Sequence, residues 1–401
     1  MLYRTYQLQE DLIAPFRAWA ASSLPFADNP FTKGMPRHFA AGLEMLARFK
    51  LTHDRPAFDI KRVRSGNRDV EVREEVALSL PFGNLLHFRK DSRVTNPKVL
   101  IVAPLSGHFS TLLKATVETM LRDHDVYLTD WFNARDVPLS AGRFGVDEYV
   151  DYLIQFVEHI GPGTHMLAVC QPCVQTLIAS SVMAQDNNPA APRSMVLMAG
   201  PIDPTESPTK VNELAVQKSL QWFESSVIAT VPSRYAGAGR RVYPGFLQLF
   251  AFMSMNMDRH QKAHQKMYRH LAAGEIDEAE RIKQFYDEYF AVLDLTEEFY
   301  LETIDRVFQN AELARGTYKH RGRRVDPGAI RKTALLTVEG GRDDICGMGQ
   351  TTAAHDLCKS LRPHLKRHHL QANVGHYGVF SGKKWEAEVY PVVRNFILAL
   401  H

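Results

Sequence analysis

No run of about 18 uninterrupted apolar residues occurs anywhere in the chain, so no membrane-spanning helix is predicted. Cysteine is scarce. Four residues in 401, at positions 170, 173, 346 and 358, cannot build a disulfide framework, and a reducing compartment is expected. Charge of one sign is also lacking: 48 basic side chains face 45 acidic ones, for a net charge of +3. That balance offers no field for a polyanion, so no nucleic-acid partner is expected. The first dozen residues carry charges and no apolar core, so they do not read as a signal peptide. Internal repeats and low-complexity tracts are missing. Cys346 and Cys358 lack nearby ligands at zinc spacing, and no metal site is expected. Gly237 and Gly239, with Arg234, Arg240 and Arg241, follow no strand, so they do not read as a phosphate cradle, and no cofactor is expected. What is left is the profile of a soluble, cytoplasmic globular protein, 45% hydrophobic and 23% charged.

What the chain does have is alternation. Two runs that alternate in polarity, 58–64 and 70–76, flank the turn Ser65-Gly-Asn-Arg68 and predict an antiparallel hairpin, with a further strand at 85–89. Val99-Leu-Ile-Val-Ala103 is short and continuously apolar, as a strand buried on both faces of a parallel sheet must be. Runs at 126–130, 165–169, 194–199, 333–338 and 368–372 repeat that pattern. Helical stretches lie between most of them, at 111–122, 146–160, 170–184 and 351–361, and a last one follows at 385–400. Strands alternating with helices predict a mostly parallel α/β sheet with the hairpin at its edge.

Two regions depart from that rhythm. Residues 1–55 read as a helical lead-in, with Leu8, Leu12, Ile13, Phe16 and Trp19 as an apolar stripe and a break at Asn29-Pro30. A second helix, 39–49, carries Leu43, Leu46 and Phe49. The stripe is expected to pack on the domain, the alternative being a surface that sits on a hydrophobic particle. Residues 205–325 read as a helical insertion, with helices at 211–230, 246–257, 277–290 and 296–308. Its aromatic and methionine side chains are expected to be mainly core. The division is thus 1–55, 56–204, 205–325 as a cap, and 326–401.

Chemistry gathers where predicted strands end. Cys170 sits between an apolar run and a helix, in Ala168-Val-Cys-Gln-Pro172, the outline of a strand-to-helix elbow that lifts a nucleophile above a sheet. The positive end of that helix suits an anionic sulfur. Asp343 and Asp344 follow a later strand, and His376 follows the last. Nucleophile, acid and histidine in that chain order form the α/β-hydrolase triad. Of the two aspartates Asp343 is chosen, since it comes first after the strand and its Gly340-Gly341 turn, which leaves Asp344 a local capping residue. The oxyanion would be held by backbone N–H groups of Gln171 and of Leu105 or Ser106. Cys170-Gln-Pro-Cys173 also fits a redox C-x-x-C pair, but such a motif has no need of the later Asp and His. His108 could touch substrate or be structural; His368 and His369 read as solvated or structural.

Several stretches together resemble a known family. They are Ala103-Pro-Leu-Ser-Gly-His108, Tyr127-Leu-Thr-Asp-Trp131, Val169-Cys-Gln-Pro172, Arg241-Val-Tyr-Pro-Gly-Phe246, Asp343-Asp-Ile345 and Gly375-His-Tyr-Gly378, with the opening Met1-Leu-Tyr3. The chain is similar to the intracellular polyhydroxyalkanoate (poly-3-hydroxybutyrate) depolymerases along nearly all its length. The resemblance implies an α/β-hydrolase fold with a helical lid, and a carboxylic ester hydrolase that cleaves stored polyester through an acyl-cysteine. It places the triad on Cys170, Asp343 and His376, and implies a polymer granule as partner in the cytoplasm. Polymer synthases resemble it too, but their Gly-x-Cys-x-Gly box is missing here. A synthase-like acyltransferase and a non-catalytic granule-binding protein are the alternative expectations, and homo-oligomerisation stays open.

Overall fold

The structure, a computed structural model, describes residues 2–27, 37–48, 50–92, 94–255 and 257–401. Its centre is a sheet that begins with β1 (Arg62–Ser65), β2 (Arg68–Leu80), β3 (Gly83–Lys90) and β4 (Lys98–Val102), followed by β5 (Asp125–Trp131), β6 (His165–Val169) and β7 (Ser194–Met198). Short strands of the insertion come next: β8 (Ala229–Thr230), β9 (Arg241–Tyr243) and β10 (Leu295–Thr296) in one small sheet, and β11 (Lys319–His320) with β12 (Arg323–Arg324) in a hairpin. The central sheet is completed by β13 (Ala334–Gly340) and β14 (Lys366–Gln371).

The nine strands of that sheet lie in the order β1-β2-β3-β5-β4-β6-β7-β13-β14. All neighbours from β5 to β14 are parallel, while β3 runs antiparallel to both β2 and β5. That succession, with antiparallel pairing confined to its early strands and a crossover around β4, is the α/β-hydrolase sheet. The central strands are buried along their whole length because helices cover both faces. On one face pack Val146–Ile160 and Pro172–Gln185, burying Tyr149, Leu153, Phe156, Leu177 and Ile178. On the other lie Lys114–Leu121 and Tyr390–Leu398, burying Val117, Met120, Val393 and Phe396.

The strand expectations correspond to β1–β7, β13 and β14 within a few residues. The helices differ more. The run 211–230 is two helices, Lys210–Gln217 and Leu220–Val227, because Ser219 caps the second by accepting from the N–H of Trp222. Only Ala354–Leu357 of the stretch 351–361 is α-helical. The helix expected at 296–308 is α-helical over Glu297–Glu302 and then π-helical. Met257–Ala273 is a further helix inside the region read as mainly helical; patterning does not single it out, its apolar positions standing among Asp, Arg, His, Gln and Lys.

The N-terminal helix Leu2–Ala27 overturns the expectation that its stripe packs inward. Tyr3, Arg17 and Ala20 face the protein, with Arg17 ion-paired to Glu10, whereas Leu8, Leu12, Phe16 and Trp19 are 56–71% exposed. Its start is tied down by one buried carboxylate. Asp294 accepts from the Tyr3 hydroxyl at 2.6 Å and from the N–H of Gly245 at 2.9 Å, and Gly245 opens the helix Gly245–Met255. In Arg37–Arg48, Leu43 is buried and Leu46 is 41% exposed. Asn29, Pro30 and Phe49 lie outside the described residues. The insertion's apolar side chains are not all core either: Phe223 and Tyr289 are buried, but Trp222, Phe250, Met257 and Phe285 are exposed. Among the described residues, no helix is long and apolar enough to cross a membrane.

Candidate active site

β6 ends at Val169, and Cys170 follows in the left-handed region with φ +67°. A non-glycine residue there carries roughly 1–3 kcal/mol of strain, held only where the surroundings over-determine it. Here the Cys170 N–H donates to Met198 O at 2.8 Å and the Cys170 carbonyl accepts from Cys173 N at 3.1 Å. Gln171 is already helical, and Pro172 occupies the first turn, where its missing N–H has no partner to lose. The motif has Ala168 and Pro172 where an elbow usually has glycines; the close approach is supplied instead by Gly200 after β7. A Cβ on Gly200 would collide with the Cys173 side chain and lie 2.6 Å from the Cys170 carbonyl oxygen.

His376 stands in the loop after β14 and is 5% exposed. Its Nδ1–H donates to Oδ2 of Asp343 at 2.8 Å. The other oxygen of Asp343 accepts from the N–H groups of Ile345 and Cys346, both at 2.9 Å, so the carboxylate is held rigidly after β13. Burial works against a charged imidazole at His376, but the carboxylate of Asp343 and the sulfur of Cys170 outweigh it, with hydrogen bonds to both, and raise it well above the usual range. Cys170, His376 and Asp343 are therefore brought together, and the partner of the histidine is Asp343 rather than Asp344.

Leu105, Ser106, Cys170 and Gln171 share the wall of one cavity of about 190 Å³. Its remaining surface comes mainly from the insertion, with Leu214, Phe223, Tyr243, Phe299, Tyr300 and Phe308, and Ile345 closes it from the core. A second cavity of about 390 Å³, lined by Phe285, Tyr286, Tyr289, Lys266 and Arg281, reaches Ile345 and Tyr377 from the other side. A third of about 420 Å³ lies away from Cys170 and His376, between the N-terminal helix and Gly245–Met255, where Tyr6, Ile13, Phe246, Phe250 and Met253 line it.

The other residues singled out by sequence take structural places. Cys173 is fully buried, and burial pushes its thiol well above the ordinary range. It donates weakly to Ala168 O and Met198 O. All four cysteines are free. His108 is buried against Tyr289, its ring centroid 5.0 Å away, and burial lowers its imidazole to about 4. Arg240 donates to the carbonyls of Val137, Pro138 and Gly142, and Arg241 pairs with Glu224 and Glu297, so this loop binds its own protein. His368 shares hydrogen bonds with Thr337 and Thr352, and His369 with Gln371. No group of side chains able to hold a metal ion is found among the described residues.

Remote likenesses reach solved hydrolases. A 2-hydroxy-6-oxo-6-phenylhexa-2,4-dienoate hydrolase from Rhodococcus sp. strain RHA1 is 12% identical, covers 82% of this chain and 99% of its own, and has a TM-score of 0.44. For a monoacylglycerol lipase of Paleococcus ferrophilus the figures are 10% identity, 82% and 100% coverage, and a TM-score of 0.43. A meta-cleavage product hydrolase of Pseudomonas fluorescens IP01 is 12% identical over 85% of this chain and 98% of its own, with a TM-score of 0.43. No curated protein matches the chain. The family model described as "PHB de-polymerase C-terminus" matches residues 199–401, just over half of the sequence, from the glycine that shapes the elbow through the insertion to the acid and histidine. On that match, with the hydrolase sheet beneath it, the chain belongs to the PHB depolymerase family and is a carboxylic ester hydrolase.

Proposed function

We propose that this protein hydrolyses the ester bonds of poly(3-hydroxybutyrate) and related polyhydroxyalkanoates through an acyl-cysteine at Cys170. The observation that carries this reading is the 2.8 Å His376–Asp343 pair beside a cysteine on a left-handed strand-to-helix turn. The Cys170 sulfur attacks the ester carbonyl carbon. The oxyanion is received by the backbone N–H of Gln171 with that of Leu105 or Ser106. As the C–O bond breaks, His376 gives its proton to the departing alkoxide. Water then attacks the thioester, His376 takes its proton, and the acid leaves with Cys170 restored. Asp343 keeps the histidine in the tautomer that presents Nε2 to the sulfur.

The partner in this reading is the surface of amorphous stored polymer in the cytoplasm. Support comes from the exposed apolar row Leu8, Leu12, Phe16 and Trp19, with Phe250 70% exposed on the neighbouring helix. That neighbouring helix also supplies Gln248 and Ala251 to the cavity beside Cys170. The test is release of 3-hydroxyacids from amorphous granules. Cys170→Ala should lower it by several orders of magnitude with the fold intact, and near-normal release would overturn the assignment. Asp343→Ala should lose far more activity than Asp344→Ala; the reverse would move the acid.

A further inference from the structure

The cavity beside Cys170 is walled mostly by apolar side chains, and one buried amide interrupts them. Gln171 is 7% exposed and lines this cavity, yet neither its amide nitrogen nor its amide oxygen has a hydrogen-bond partner among the described residues. Buried amides are rarely left so without a reason, because water satisfied them before folding. Gln175, one turn further along the helix, has an equally unspent and fully buried amide but is absent from the cavity wall. Gln171 therefore differs from an ordinary packing defect in being both unpaired and open to whatever fills the space next to the nucleophile.

Resting on the reading that an acyl group is carried on Cys170, we propose that the side-chain amide of Gln171 reads the oxygen on C3 of that acyl group. C3 is two bonds from the carbonyl carbon under attack, and Gln171 is the residue next to the attacking sulfur. The amide can donate through Nε2 to the C3 oxygen, whether free hydroxyl or ester oxygen, and accept through Oε1 from a free hydroxyl. A plain acyl ester entering the same cavity leaves the amide buried and unpaired, so the site rejects it. Gln171 is thus a specificity-determining residue for 3-oxygenated acyl esters, separate from the role of its own backbone N–H.

The experiment compares kcat/KM of the full-length enzyme on the 3-hydroxybutyryl and butyryl esters of one activated phenol. Gln171→Met keeps the length of the side chain and its backbone N–H but removes the amide. It should lower the hydroxybutyryl-to-butyryl ratio by at least about 10-fold. Gln171→Asn withdraws the amide by one methylene and should give an intermediate ratio. Because the ratio is internal to each preparation, loss of folded protein cancels from it. A ratio within about 2-fold of the unaltered enzyme in both variants, the two rates falling together, would overturn the proposal and leave the amide a structural or water-holding group. Cys170→Ala is run alongside: its full activity on both esters would overturn the nucleophile assignment instead, and the two failures are thereby told apart.

Discussion

Gly200 is the residue on which the elbow leans. It stands next to Ala199, itself left-handed at φ +51°, and its α-carbon occupies the only space left by Cys173 and the Cys170 carbonyl. Gly200→Ala should therefore destabilise the protein by roughly 1–3 kcal/mol as the core is overpacked, and should lower turnover as Cys170 is displaced. Thermal unfolding and ester turnover of that variant check both; an unchanged Tm with unchanged turnover would show that the elbow relaxes freely. The place of Cys170 at a strand-to-helix turn was legible in the sequence because a strand, a small residue and a proline frame it. The glycine that makes the turn possible was not, since it comes from the next strand, thirty residues on. The unpaired amide of Gln171 was equally invisible, because burial and lack of a partner exist only in three dimensions. The preference for Asp343 over Asp344 rested on its place after the strand and turn, with Ile345 two residues on, whereas in the fold Asp343 is the one in a 2.8 Å contact with His376.

Among the elements, the β11–β12 hairpin is attached by charge as well as by its buried flanking residues, Tyr318 and Val325. His320 lies 2.8 Å from Asp151 and 3.4 Å from Asp147, both on the helix Val146–Ile160, and Arg321 pairs with Asp151 and Glu148. Burial alone would lower the His320 imidazole, but hydrogen bonds and charge from the two aspartates outweigh it and push it up to about 9. Its folded value thus exceeds its unfolded one. The stability it contributes is complete below about pH 6.5 and is lost as pH rises through about 9. Urea unfolding between pH 6 and 10 should show that decline, and His320→Gln should flatten it; an equal decline in the variant would assign the effect to other groups. Elements of this kind escape sequence reading. Buried parallel strands announce themselves as apolar runs, whereas the short hairpin and the helix Met257–Ala273, whose inward Ala263, Met267 and Leu271 stand among many polar residues, do not. The inward face of the N-terminal helix was misjudged for a related reason: patterning finds a stripe but not the side on which the protein lies.

For the molecule as a whole, Cys170, Asp343 and His376 follow the C-terminal ends of β6, β13 and β14, and the insertion builds apolar walls over that end of the sheet. On the reading of a polymer substrate, the exposed row on the N-terminal helix meets the particle. Leu12→Asp combined with Trp19→Asp should then reduce co-sedimentation with amorphous polyester about 10-fold or more, since two buried apolar side chains are worth about 1.5–3 kcal/mol each, while turnover of a small soluble ester stays within about 2-fold. Equal loss on both substrates would place the defect in the fold, and unchanged sedimentation would rule this face out.

Asp294 gives that arrangement a mechanical meaning. One carboxylate holds the first turn of the outward-facing helix through Tyr3, and also the first N–H of the helix whose Gln248 and Ala251 line the cavity beside Cys170. Surface and cavity are thus fastened to a common post. On the proposed reading, a polymer that rests on the outer helix touches an element sharing its anchor with a wall of the cavity beside Cys170, and the same Asp294 is bonded through its backbone to Asn133 and Ala134 just after β5.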